Sequence, residues 1–215
     1  MANKFDNLHN VKKAGSEIVN IFGQHASFHL QYDAPLSGDI EGVAKPMSHW
    51  VRTSGSATTV ARDSALAIAV VRSTPNRIAA LSLPADASWG VAGPAAAPEV
   101  PAAALPPGPV AVEAVLAALR AGGSTVILLG GAALRGNSLE WAGRIVVSAG
   151  RTLMCQGQNA RIERGAGRVG VRATVLWRHH RNSHVGGVQN LVLVGAKTPV
   201  ASFAYPNQPS LLVPS

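Results

Sequence analysis

A single cysteine, Cys155, stands in the 215 residues, so neither an internal disulfide framework nor a multi-thiolate zinc site can be built from them. Charge is sparse at 14% of residues, and aromatic side chains make up only 5%. No uninterrupted apolar run reaches the roughly 20 residues that a membrane helix needs. The most apolar stretch, 110–134, is broken by Glu113, Arg120 and Gly122-Gly123. The opening Met1-Ala2-Asn3-Lys4-Phe5-Asp6 lacks the apolar core of a secretory leader. These absences lead to the expectation of a soluble, cytoplasmic protein with no membrane partner. What is present is a 47% apolar chain with 22 Gly and 14 Pro. That is too hydrophobic for disorder, and no Gly-X-Y period suggests collagen. The length suits one large or two small domains and can bury about 70% of the unfolded surface.

The formal net charge of +8 raises a nucleic-acid reading, because basic chains gather on polyanions by releasing counterions. Its distribution is uneven. Residues 151–186 hold seven arginines against one acid, Glu163, whereas the rest holds twelve Lys/Arg against ten Asp/Glu. The excess belongs to one segment, which would be the contact surface of a nucleic-acid binder. That function ranks below those developed next.

Helix and strand signals alternate along the chain. A helix is expected over 5–14, with Phe5, Leu8 and Val11 on one stripe and Gly15 as its stop. A strand is expected over 18–22, then a polar, histidine-bearing loop or short helix to about residue 44, then a strand at Trp50–Thr53. Ser56 is placed to cap a helix over 58–72, and 77–83 reads as a buried strand. From 91 to 109 the chain is mostly Ala and Pro with one charge, Glu99, which reads as a semi-extended linker. Beyond it come a helix over 110–121, a strand at Thr125–Leu129, a turn at Gly130-Gly131, a helix over 138–149, and strands over 151–155 and Asn190–Val194. This alternation predicts α/β architecture: two partial Rossmann-like units with parallel sheets, joined by the Ala/Pro linker.

Several motifs add a resemblance. They are the Asn7-Leu8-His9-Asn10 helix start, Ile18-Val19-Asn20-Ile21, Gly23-Gln24-His25-Ala26, Tyr32-Asp33-Ala34-Pro35-Leu36 and Asp39-Ile40-Glu41-Gly42. Further along come Leu83-Pro84-Ala85-Asp86, Leu129-Gly130-Gly131, Glu163-Arg164-Gly165-Ala166-Gly167, Leu193-Val194-Gly195-Ala196-Lys197 and Phe203-Ala204-Tyr205-Pro206. In this order and spacing they resemble thiamine-diphosphate-dependent enzymes, in the branch similar to the acetolactate synthase large subunit. The resemblance implies that 1–90 is the later part of a pyrimidine-binding domain and 110–215 a partial central domain. It implies carboligase or decarboxylase chemistry on 2-oxo acids, thiamine diphosphate and Mg2+ as cofactors, and homo-oligomers. By the same comparison the chain is expected to be a truncated fragment, inactive alone, of the kind a decaying gene would produce. The glutamate that activates thiamine and the Gly-Asp-Gly metal motif of the family have no counterpart here. Gly38-Asp39-Ile40 is not that motif, so no cofactor is expected on this chain alone. A fragment with uncovered strands over 18–22 and 77–83 is also expected to be aggregation-prone.

The loop 23–40 is the part nearest the active site that the resemblance implies. His25, His29 and Tyr32 are its candidate acid/base groups, since imidazole titrates near neutrality; the alternative is that they are plain exposed loop residues. Pro35-Leu36 replace the Phe-Gln pair of acetolactate synthases proper, which argues against acetolactate as product. Gly130 and Gly131 follow a strand, where glycines let a dinucleotide phosphate approach, and acetolactate synthases hold a flavin in this domain. The full Gly-x-Gly-x-x-Gly pattern is missing, and a tight turn alone requires glycine. A flavin- or adenine-nucleotide-binding module is therefore the alternative function. Cys155 reads as a buried small apolar residue.

The resemblance lapses over 172–186, where three histidines and three arginines crowd without apolar period. Codons allowed by these residues, read one nucleotide later, spell the Leu-Pro-Tyr-Phe that the family has there. A local frameshift with a compensating change is the expectation, against a diverged surface loop as the alternative.

Overall fold

A computed structural model describes residues 2–73, 75, 77–173 and 188–213, with side chains from residue 6 onward. The chain divides into two compact units, Met1–Leu105 and Pro106–Ser215.

In the first unit, helix α1 (Ala2–Ala14) leads to strand β1 (Ile18–Gln24), and helix α2 (Ile40–Ala44) to strand β2 (Trp50–Thr53). Helix α3 (Val60–Arg72) then leads to strand β3 (Ile78–Pro84) and the short helix α4 (Ala85–Trp89). The three strands are parallel in the order β1-β3-β2. β3 is the middle strand and buried almost throughout, which is why it reads as an unbroken apolar run rather than an alternating one. Its Ala79 packs with Ala67 and Val71 of α3, and these small residues let helix and strand approach closely. The expectation that strand 77–83 would lie uncovered is corrected by this order, since β3 has a paired neighbour on both edges. In this sheet β1 and β2 are the edge strands among the described residues. Ser56 is not the cap of α3 either: the N-cap is Thr59, and the Ser56 hydroxyl pairs instead with that of Thr58.

Residues 91–108 form neither helix nor strand. Part of this stretch is seated on the first unit, where the Ala102 amide donates to Ser73 Oγ at 2.9 Å.

The second unit begins with helix α5 (Pro109–Arg120), whose proline sits in the first turn, where a missing N–H costs nothing. Strand β4 (Thr125–Leu129), helix α6 (Gly136–Ala149) and strands β5 (Thr152–Cys155), β6 (Arg172–Ala173) and β7 (Asn190–Val194) follow. All pairings are parallel, in the order β6-β5-β4-β7. β4 is buried along its whole length, and Ile127 and Leu129 share a core with Leu139 and Ala142 of α6. Of the 172–186 stretch where a frameshift is expected, β6 takes in residues 172 and 173, and 174–186 lie outside the described residues.

Candidate functional site

β1 and β3 run side by side to matching ends, with Gln24 opposite Pro84. The carboxyl end of a parallel sheet is where open α/β folds bind ligands. The candidate loop emerges there. After β1, Ala26 is buried and opens a 3-10 helix over Ser27–Tyr32. Asp33, in the left-handed region at φ 46°, closes it, a conformation that aspartate tolerates better than most residues. Ser27 fixes the loop to the sheet: its amide donates to Asp86 Oδ1 at 2.9 Å and its hydroxyl to the same oxygen at 3.3 Å. Asp86 stands in the first turn of α4, directly after β3. The Ser27 amide bond holds the Asp86 carboxyl below its ordinary pKa.

The three candidates from the sequence come together in one row. The His25 and His29 ring centroids are 5.7 Å apart, and those of His29 and Tyr32 are 5.8 Å apart. His25 is half-buried, whereas His29 and Tyr32 face solvent beside the exposed Phe28 and Leu36. The row therefore sets two imidazoles and a phenol side by side, and Phe28 and Leu36 are also exposed on this loop. Sequence reasoning missed Ser27 and Asp86. The signal was there in Leu83-Pro84-Ala85-Asp86, a carboxylate immediately past a buried strand.

At the carboxyl end of the second sheet, Gly130 and Gly131 have a different setting. A Cβ on Gly130 would lie 2.5 Å from the Gly195 carbonyl oxygen, and one on Gly195 would lie 2.6 Å from the Gly130 oxygen. The ends of β4 and β7 thus touch backbone to backbone, and Gln156 accepts from the Lys197 amide beside them at 3.2 Å. The first amide of α6, at Gly136, already donates to Glu163 Oε2 at 3.0 Å, and Arg168 pairs with that carboxylate at 3.3 Å. Backbone packing accounts for Gly130, and its own carboxylate occupies the α6 end, so the geometry gives the flavin or nucleotide reading no added support. Cys155 is fully buried, and burial pushes its thiol pKa up against the opposing effect of Arg164.

Several arginines of the basic segment have partners within the chain. Arg151 donates to the Leu119 and Gly123 carbonyls, and Arg168 pairs with Glu163 and, at 3.9 Å, Glu140. No helix among the described residues is long and apolar enough to cross a membrane. Among the described residues no group of three or more His, Cys, Asp or Glu could hold a metal ion.

No family model matches the chain. Over all 215 residues it is 42% identical to a Mycobacterium tuberculosis protein named "Putative acetolactate synthase large subunit IlvX". The chain spans 41% of that relative's length. Among solved structures it is similar to a "putative thiamin diphosphate-dependent enzyme" from Mycobacterium smegmatis, with TM-score 0.70 and 19% identity over 99% of this chain and 41% of that one. It is also similar to a thiamine diphosphate-dependent 4-hydroxybenzoylformate decarboxylase from Rhodococcus jostii RHA1. There the TM-score is 0.61 and the identity 22%, over 74% of this chain and 31% of that one. Both structures support the α/β fold.

Proposed function

We propose, for a chain that resembles acetolactate-synthase-type, thiamine-diphosphate-dependent enzymes along its whole length, that it carries one wall of a 2-oxo-acid carboligase or decarboxylase site. The observation that carries this reading is the 42% identity over all 215 residues. The loop at the carboxyl ends of β1 and β3 is the part of the chain that meets substrate. His25 and His29 exchange protons there, Tyr32 donates a hydrogen bond, and Phe28 and Leu36 line the apolar side. Ser27 and Asp86 are positioning residues that hold the loop against the sheet. Thiamine diphosphate supplies the carbanion chemistry in enzymes of this kind, and no residue described here is assigned to it. These 215 residues alone are accordingly inactive.

A chimera tests the reading. When these residues replace the matched segment of the M. tuberculosis relative, the chimera should bind thiamine diphosphate with Mg2+ to the same extent as the parent measured beside it. It should also lose 2-oxo-acid turnover on His29→Ala without losing the cofactor. A folded chimera that binds no cofactor while its parent does would overturn it.

A further inference from the structure

The Ala/Pro stretch repeats one short run, as Pro94-Ala95-Ala96-Ala97 and Pro101-Ala102-Ala103-Ala104. Their settings differ. Just ahead of the first run, a Cβ on Gly93 would lie 2.6 Å from the Thr58 carbonyl oxygen, so the two backbones touch where α3 is about to begin. Inside the second run, the Ala102 amide donates to Ser73 Oγ at 2.9 Å, where α3 has just ended. The chain is fastened at both ends of the helix. From Thr58 to Ser73 a helical rise covers about 22 Å, and the stretch from Gly93 to Ala102 reaches about 28 Å as polyproline II. With so little slack it runs lengthwise beside α3. Two burial patterns agree. Ala67 and Val71 pack on Ala79 of β3, and Ala69, two residues from each, faces the other way. Ala69 is nonetheless only 8% exposed, and Ser73, one turn further on, is buried too. Over 91–100 only Gly93 and Ala96 are half-buried, three residues apart, which is one turn of polyproline II. The Ser73 hydroxyl closes the contact, donating to the Ala69 carbonyl at 2.8 Å while it accepts from Ala102.

We propose that 93–102 is a latched strap over the outer face of α3, and that Ser73 sets the length of free chain between the two units. With the latch made, residues 103–108 are the joint, with a reach of about 20 Å at most. With it broken, the joint takes in 94–108 and its reach grows to about 50 Å. The strap forms neither helix nor strand, and the bond from Ala102 to Ser73 fastens its far end. It therefore opens before the first unit unfolds.

Limited proteolysis of the full chain by elastase, which cuts after small residues, tests this, because the two runs offer the same Ala-Ala bonds. Cleavage sites are mapped by mass spectrometry. In wild type, cutting within 101–104 should outpace cutting within 94–97 by about tenfold or more, since a fastened segment is cut only when open. Ser73→Ala should raise cutting within 94–97 about three- to tenfold, as the loss of one hydrogen bond predicts, with an unchanged circular dichroism spectrum. Gly93→Val, which drives a side chain at the Thr58 carbonyl, should free the strap in the same way. Ser73→Cys combined with Ala102→Cys should form a disulfide that protects 94–97, and reduction should remove that protection. Equal cutting of the two runs in wild type would overturn the proposal. So would a first run that is cut no faster in either Ser73→Ala or Gly93→Val.

Discussion

Asp63 is an aspartate on α3 with 5% of its surface exposed, and replacing it by the isosteric asparagine isolates what its charge contributes. Its Oδ2 accepts from Ser54 Oγ at 2.7 Å, and its Oδ1 from Arg52 Nη1 at 2.8 Å. Ser54 is fully buried and follows β2, so the carboxylate ties the end of that strand to α3. A hydrogen bond to a buried charge contributes about 1.5–3 kcal/mol. The Arg52 side chain is 42% exposed, and solvent screening holds its share to about 1 kcal/mol. Asp63→Asn leaves no cavity but sets an amide N–H2 against groups that themselves donate. The loss should total about 2–4 kcal/mol, or a melting shift on the order of 10 °C for a unit this size. Burial tends to raise this carboxyl, but the bonds from Ser54 and Arg52 and the charge of Arg52 outweigh it, so its pKa lies below the ordinary 3.8. The native state therefore binds fewer protons than the unfolded one. The stabilisation is complete above pH 3.8 and is lost as pH falls through the depressed native value. Urea unfolding of wild type and Asp63→Asn between pH 7 and pH 2 should show a gap that narrows only below pH 3.8. A gap under about 1 kcal/mol at pH 7, or one that stays constant to pH 2, would refute the reasoning.

Gly195, at φ +64° and against the Gly130 carbonyl, should not accept a side chain: Gly195→Ala should cost about 1–3 kcal/mol in chemical unfolding. Ser27→Ala removes one of two bonds to Asp86 and should leave hydrogen exchange over 25–32 nearly unchanged, whereas Asp86→Ala should speed it markedly. Cys155, buried and with its thiol pKa raised, should resist a thiol reagent in the native chain at pH 8 and react at once in urea.

Strands with an undivided apolar run were legible from residues alone. Thr125–Leu129 and Asn190–Val194 fall where the sequence puts them, because a buried parallel strand needs only length and β-branched or leucine side chains. Helix starts were less legible. Ser56 has the right chemistry for a cap, but the helix begins after Thr59, and Ser56 instead joins a turn in which its amide donates to Thr59 Oγ1. Strand order was not legible at all. That β3 takes the middle place depends on contacts distant in sequence, and so the uncovered strand was misassigned there. At the site, His25, His29 and Tyr32 could be named from their side-chain chemistry, and their spacing of four and three residues agrees with one row of rings. Ser27 and Asp86 are 59 positions apart, and nothing local announces that pairing. The same holds for Gly130 and Gly195, where a turn glycine and a backbone crossing look alike in one dimension.

The central claim is that this chain is an acetolactate-synthase-like wall of a thiamine site that cannot seat the cofactor alone. Isothermal titration of thiamine diphosphate with Mg2+ into the purified 215 residues tests it most directly. No saturable heat is expected, because the activating glutamate and the Gly-Asp-Gly metal motif that the family resemblance leads one to look for have no counterpart in these residues. Saturable binding with a dissociation constant on the order of micromolar, equivalent to about −8 kcal/mol, would contradict it.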